Sequence, residues 1–128
     1  MKILEAAENY LEVILMENEK HGQVRSIDIC NSLNYSKPTV SVMMKQLREN
    51  GYIEMSPAGY ITLTDKGSSI AEKMYERHMV LGKVLIALGV DKETALKDAC
   101  KIEHAISSKS FEAIKEYYYK NKVDTPPA

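Results

Sequence analysis

The stretch VRSIDICNSLNYSKPTVSVMMKQLRENGYI, residues 24 to 53, decides the fold. Its apolar residues fall at helical spacing twice, with a break between. Ile27, Ile29, Cys30 and Leu33 form the first run, which Ser26 is placed to cap and which the turn formers Asn34 and Tyr35 end. Ser36 is placed to cap the second run, Val40, Met43, Met44 and Leu47, with Pro38 tolerated in the first turn and Gly51 as the stop. The result is a short helix, a tight turn and a second helix.

The segments on either side extend this pattern. Upstream, Leu4, Ala7, Leu11, Ile14 and Leu15 mark a helix over residues 3 to 18, with Gly22 as the break. Downstream, YIEM and YITLT alternate with period two around Ser56-Pro57-Ala58-Gly59, which reads as a two-stranded hairpin. Helix, helix, turn, helix, hairpin is the order of a winged helix-turn-helix. Near the start of its second helix stand Ser36, Lys37, Thr39, Ser41 and Lys45, short hydroxyls and cations that can donate to phosphate or reach base edges of double-stranded DNA. The same residues also fit the caps and surface of a three-helix bundle.

The charge distribution favours the DNA reading. The net charge is only −1, but residues 1 to 19 set five acids against Lys2, whereas residues 20 to 50 hold Lys20, Arg25, Lys37, Lys45 and Arg48 against Asp28 and Glu49. Attraction to a polyanion therefore belongs to the 20 to 50 region. With 45% hydrophobic and 27% charged residues the composition is that of a globular protein, and no apolar run approaches the ~20 residues that span a bilayer. Lys2 is followed by Glu5, Glu8 and Glu12 rather than by an apolar stretch, so the expected location is cytoplasmic and Cys30 and Cys100 are expected as free thiols.

Beyond the hairpin the chain reads as helical. Thr64 is placed to cap residues 65 to 88, Asp91 a fifth helix to about Ile106, and Ser107 or Ser108 a sixth to about Lys120. The expected division is 1–64, 65–122 and a disordered tail, 123–128, containing Pro126-Pro127. Within DACKIEHAI, residues 98 to 106, Cys100, Glu103 and His104 stand at i, i+3 and i+4, so a thiol, a carboxylate and an imidazole share one helical face. On spacing alone this triplet suits a solvated helix face better than half of a metal site, because such triplets occur by chance.

AENYLEVI, the 24–53 stretch, GYITLTDKG, ERHMVLGKVLIALGVD and DACKIEHAIS, in this order and spacing, resemble the diphtheria-toxin-repressor and manganese-transport-regulator family over residues 4 to 115. The resemblance implies a mainly α protein, a winged helix-turn-helix domain followed by a helical dimerisation domain. It also implies a homodimeric repressor that binds a pseudo-palindromic operator when loaded with a divalent metal. Carried over by position, the implied metal ligands are Asn9, Glu12, His78, Cys100, Glu103 and His104. Asn9 departs from the Asp or Met of relatives and offers only an uncharged carbonyl oxygen. The positions of a second, ancillary site in the toxin-repressor branch are Gly82 and Leu96 here, which supply no ligand. The thiolate of Cys100 favours Fe(II), Co(II) or Zn(II) over Mn(II); the expected metal is Fe(II) first and Mn(II) second, with Zn(II) or Co(II) also compatible. His21 reads as a solvated residue, and the apolar residues of the fourth helix with Phe111, Ile114 and Tyr117 to Tyr119 as core and dimer material. A metal-independent winged-helix regulator is the alternative, and a metallohydrolase lacks any sign of a substrate cavity.

Overall fold

The computed structural model describes residues 5–121; Leu4 and the 123–128 tail fall outside them. The described chain contains α1 (Glu5–His21), α2 (Ser26–Leu33), α3 (Lys37–Glu49), β1 (Ile53–Met55), β2 (Ile61–Leu63), α4 (Asp65–Ala87), α5 (Lys92–Ala105) and α6 (Ser108–Lys120). These elements form two compact units, one ending at Lys73 and the other beginning at Met74. The boundary between these compact units falls inside α4.

The first unit is built on an apolar interior. Leu11 and Ile14 of α1, Ile29 of α2, Val40 and Leu47 of α3, and Ile53 of β1 are all buried in one cluster. Ser36 caps α3 by accepting from the Thr39 N–H at 3.4 Å. Ser26 does not cap α2. Arg25 holds that position, and its N–H donates to the Asp28 carboxylate at 2.8 Å, so the capping acid lies inside the helix. Asn34, at φ 57°, closes α2 in the left-handed region that asparagine tolerates.

The hairpin is antiparallel with Ile53 opposite Leu63, Glu54 opposite Thr62 and Met55 opposite Ile61. β2 also bridges back to the segment before α2, where the Ile61 N–H donates to the Val24 carbonyl at 2.7 Å. Thr64 joins this hairpin to α4. Its hydroxyl donates to the Gly51 carbonyl at 2.6 Å and accepts from the Gly67 N–H at 3.2 Å. Gly67 has a steric reason to be glycine, because a Cβ there would lie 2.0 Å from the Tyr52 carbonyl oxygen. With Ala71 buried in the first cluster and Lys66 Nζ 4.2 Å from the Tyr52 ring centroid, the opening turns of α4 belong to the first unit.

In the second unit the rest of α4 packs with α5 and α6 around Val80, Leu81, Ala99 and Phe111. Asp91 caps α5 by accepting from the Thr94 N–H at 3.0 Å, and this bond holds its carboxyl below the usual carboxylate range. Ser107 caps α6 by accepting from the Ser110 N–H at 3.1 Å. Lys115 of α6 donates to Glu76 of α4 at 3.0 Å, which raises the lysine above its ordinary value.

Candidate metal centre and nucleic-acid interface

Glu103 on α5 meets His78 on α4, with His104 beside it. Glu103 is fully buried. One of its carboxylate oxygens lies 3.4 Å from His78 Nδ1 and the other 3.4 Å from His104 Nε2. Neither oxygen accepts a hydrogen bond, and neither does His78 Nδ1 take part in one. Taking a carboxylate out of water costs several kcal/mol, which only an opposite charge or strong hydrogen bonds offset. A carboxylate in this setting suits a cation, and the imidazole nitrogens of His78 and His104 each stand beside one of its oxygens. Cys100 lies one helical turn before Glu103, half-buried and without a disulfide.

Asn9 and Glu12 lie one turn apart on α1 in the first unit. Glu12 is itself buried, at 3% exposure, which is rare for a carboxylate. His21 is exposed at the end of α1, where its Nε2 sits 3.2 Å from Glu17.

All five residues expected to meet DNA are exposed in the first unit. Ser36 and Thr39 are partly engaged with each other, their hydroxyl oxygens 2.8 Å apart at the cap of α3. Lys37, Ser41 and Lys45 recur every four residues along α3, with Val42 exposed beside them. A feature the sequence reading missed lies next to this face. Arg25 stacks on Tyr60 of the hairpin turn, its guanidinium carbon 4.4 Å from the ring centroid. Arg25, Ser26, Ile27, Lys37, Met55 and Gly59 line a groove of about 290 Å³, with two cations at its edge. The signal was Arg25 within the basic segment and an aromatic residue in the hairpin turn, but pairing them required the register of the hairpin.

The second unit carries an apolar groove of about 510 Å³ between the end of α4 (Val84, Ala87) with the following Leu88 and α6 (Ala113, Ile114, Tyr117). Leu88 and Tyr117 are 75% and 71% exposed, whereas Phe111 and Tyr118 are buried. The tyrosine run thus divides, with Tyr118 inward and its two neighbours outward.

Two family models match the chain: the iron-dependent repressor N-terminal DNA-binding domain over residues 2–60, and the iron-dependent repressor metal-binding and dimerisation domain over residues 64–126. The transcriptional regulator MntR of Escherichia coli O6:H1 is 34% identical over 117 residues, covering 91% of this chain and 76% of that one. An HTH-type transcriptional regulator of Methanocaldococcus jannaschii is 34% identical over 120 residues, covering 92% of this chain and 96% of that one. Among solved structures, a manganese-dependent transcriptional repressor in complex with manganese superposes with a TM-score of 0.81 at 28% identity, covering 92% of this chain and 55% of that one. The IdeR protein of T. acidophilum shares the fold, with a TM-score of 0.78 at 24% identity, covering 99% of this chain and 58% of that one. The chain therefore spans a little over half the length of these solved structures. It belongs to the iron-dependent repressor family of metal-dependent transcriptional regulators, with a DNA-binding domain followed by a domain that binds a divalent metal ion and dimerises. Among the described residues, no helix is long and apolar enough to cross a membrane.

Proposed function

We propose that this protein is a metal-activated repressor that binds a pseudo-palindromic operator as a homodimer and controls metal homeostasis in the cytoplasm. The observation that carries the reading is the buried Glu103 carboxylate, without a hydrogen bond and flanked by two imidazole nitrogens. The proposed ligands are His78, Cys100, Glu103 and His104 of the second unit together with Asn9 and Glu12 of α1. Asn9 is the weakest of them, since its carbonyl brings no charge. The proposed division is a DNA-binding domain through residue 64 and a metal-binding and dimerisation domain over 65–122. Ser36, Lys37, Thr39, Ser41 and Lys45 are the proposed DNA contacts.

The ion is Fe(II) first, because a thiolate ligand improves the site for iron relative to manganese. Mn(II) stands second, supported by the similar solved structure named as a manganese-dependent transcriptional repressor. One ion per subunit is the simplest stoichiometry. At the positions of the family's ancillary site, Leu96 packs directly against Gly82, its Cδ2 3.2 Å from where a Cβ would stand, so apolar packing occupies that place. The groove bearing Leu88 and Tyr117 is the proposed seat of the second copy, since an exposed apolar patch of this kind is stabilised by burial between subunits. A metal preference of ~2–3 kcal/mol for the DNA-competent state changes affinity roughly 30- to 150-fold, enough for a switch.

Anaerobic protein titrated with Fe(II), Mn(II) and Zn(II) while DNA binding is followed tests this reading. Metal-dependent binding is expected, with Fe(II) effective at the lowest concentration. Full binding without metal identifies the metal-independent alternative. Cys100→Glu sharpens the choice of metal: the ratio of half-activating Mn(II) to Fe(II) is expected to fall, because oxygen ligands favour the harder ion. An unchanged ratio in a folded variant removes Cys100 from the ligand set.

A further inference from the structure

Arg77 is the other buried charge of the second unit, at 5% exposure. A guanidinium in that setting needs acceptors for its donors. Its Nη1 donates to the carbonyl oxygens of Glu103, at 2.9 Å, and Ile106, at 2.7 Å. Its Nη2 donates to Ser108 Oγ at 3.2 Å, and its Cζ lies 5.5 Å from the centroid of the Phe111 ring.

These acceptors form one corner of the fold. α5 ends at Ala105 and α6 begins at Ser108. Carbonyls in the last turn of a helix have no partner within it and carry the negative end of the helix dipole. Arg77 meets one such carbonyl, that of Glu103, and the carbonyl of the cap residue Ile106 through Nη1, and reaches the first residue of α6 with Nη2. A lysine ammonium, a single point on a flexible stem, does not reproduce this geometry.

The corner bears directly on the metal centre. No hydrogen bond holds the Glu103 carboxylate, so its position follows from packing and from its own backbone. That backbone is what Arg77 grips, and Arg77 precedes His78 on α4. We propose that Arg77 is the positioning residue of the metal centre: it fixes Glu103 relative to His78 and ties the pair to the first turn of α6. Metal occupancy then reaches α6, which lines the apolar groove, through this guanidinium. The inference rests on the metal reading of His78, Glu103 and His104.

The test compares wild-type protein, Arg77→Lys and Ser108→Ala, each checked for folding by circular dichroism. Affinity for Mn(II) and Co(II) is measured by calorimetry, ligand geometry by the Co(II) absorption spectrum, and amide hydrogen exchange over residues 103–112 with and without metal. Arg77→Lys is expected to bind both ions about 10- to 100-fold more weakly, the range found when groups behind metal ligands are removed. Its Co(II) spectrum should change, and metal should no longer slow exchange at the start of α6. Ser108→Ala, which removes one acceptor and no ligand, is expected to keep affinity within roughly threefold while losing most of the metal-dependent protection at residues 108–112. Should Arg77→Lys fail to fold, Ser108→Ala decides alone. Wild-type affinity, spectrum and metal-dependent protection in the folded variants overturn the proposal, as does a lowered melting temperature with metal binding unchanged. A wild-type protein that takes up neither ion overturns the metal centre itself, and that result is read before any variant is compared.

Discussion

The two units fill their interiors with different chemistry. In the first, a large apolar cluster around Leu11, Ile14, Ile29, Val40, Leu47 and Ile53 joins three helices to the hairpin, with the buried carboxylates Glu12 and Glu17 on α1. In the second, a smaller cluster around Val80, Leu81, Ala99 and Phe111 shares the interior with the charged side chains of Arg77 and Glu103. Apolar burial stabilises whatever the solution contains, whereas a buried carboxylate without a hydrogen bond is costly until a cation meets it. The first unit thus takes its shape chiefly from the larger apolar cluster, whereas Glu103 gives the smaller second interior a group that responds to an ion.

Truncating the first interior gives the largest effect. Leu47 is fully buried, so Leu47→Ala is expected to destabilise the protein by about 2–5 kcal/mol through lost transfer energy and the cavity left behind. Denaturant unfolding of the metal-free protein measures this. A loss below about 1 kcal/mol would mean that the interior relaxes around the cavity and is less close-packed than it looks.

Glu103→Gln makes the contrasting change in the second interior. The amide keeps the shape and discards the charge, so affinity for Mn(II) or Fe(II) is expected to fall about 100-fold, equivalent to ~2.7 kcal/mol. The metal-free variant should melt no lower than metal-free wild type, because the desolvated charge is gone. A variant that binds metal normally but melts lower would make Glu103 an ordinary structural acid.

How much of this was legible in the sequence depended on distance along the chain. The caps Ser36, Asp91 and Ser107 were readable because each bonds an N–H three residues away. Ser26 misled because a cap can also be closed from inside the helix, as Asp28 does for Arg25. The order of helices and hairpin followed from periodicity, but the division within α4 did not. It depends on Gly67 lying against Tyr52 and on Ala71 packing in the first cluster. The spacing of Cys100, Glu103 and His104 showed a shared face, while the burial of Glu103 was visible only in the folded chain. Arg77 gave no signal, since two of its acceptors are main-chain carbonyls, and any residue supplies a carbonyl.

A third change separates the units by salt rather than by stability. Lys45 is exposed on α3 and supports no packing, so Lys45→Ala should leave melting temperature and metal affinity unchanged. If its ammonium neutralises a phosphate, DNA affinity falls and the slope of log affinity against log salt decreases by about 1. Fluorescence anisotropy with a labelled duplex at several salt concentrations gives both quantities. An unchanged slope would take Lys45 out of the interface and move attention to Arg25, across the hairpin groove.

The smallest effect concerns Asp91, at the start of the helix that carries Cys100, Glu103 and His104. Its carboxylate accepts the Thr94 N–H, which lowers its folded pKa below the unfolded value near 3.8. A depressed folded pKa means that the ionised form favours the folded state. That contribution is complete above the unfolded pKa and is lost as the pH falls through the folded one. Asp91→Asn retains a side-chain oxygen that can cap the same N–H but carries no charge into the first turn. At neutral pH the variant should therefore be slightly less stable than wild type, and the gap should close as the solution is acidified below about pH 4. Metal-free protein keeps ion binding out of the comparison. Urea unfolding of both proteins across this pH range, followed by helical circular dichroism, measures the gap. A gap that stays constant with pH would show that Asp91 acts through hydrogen-bond geometry alone, and that its charge at the head of α5 adds nothing.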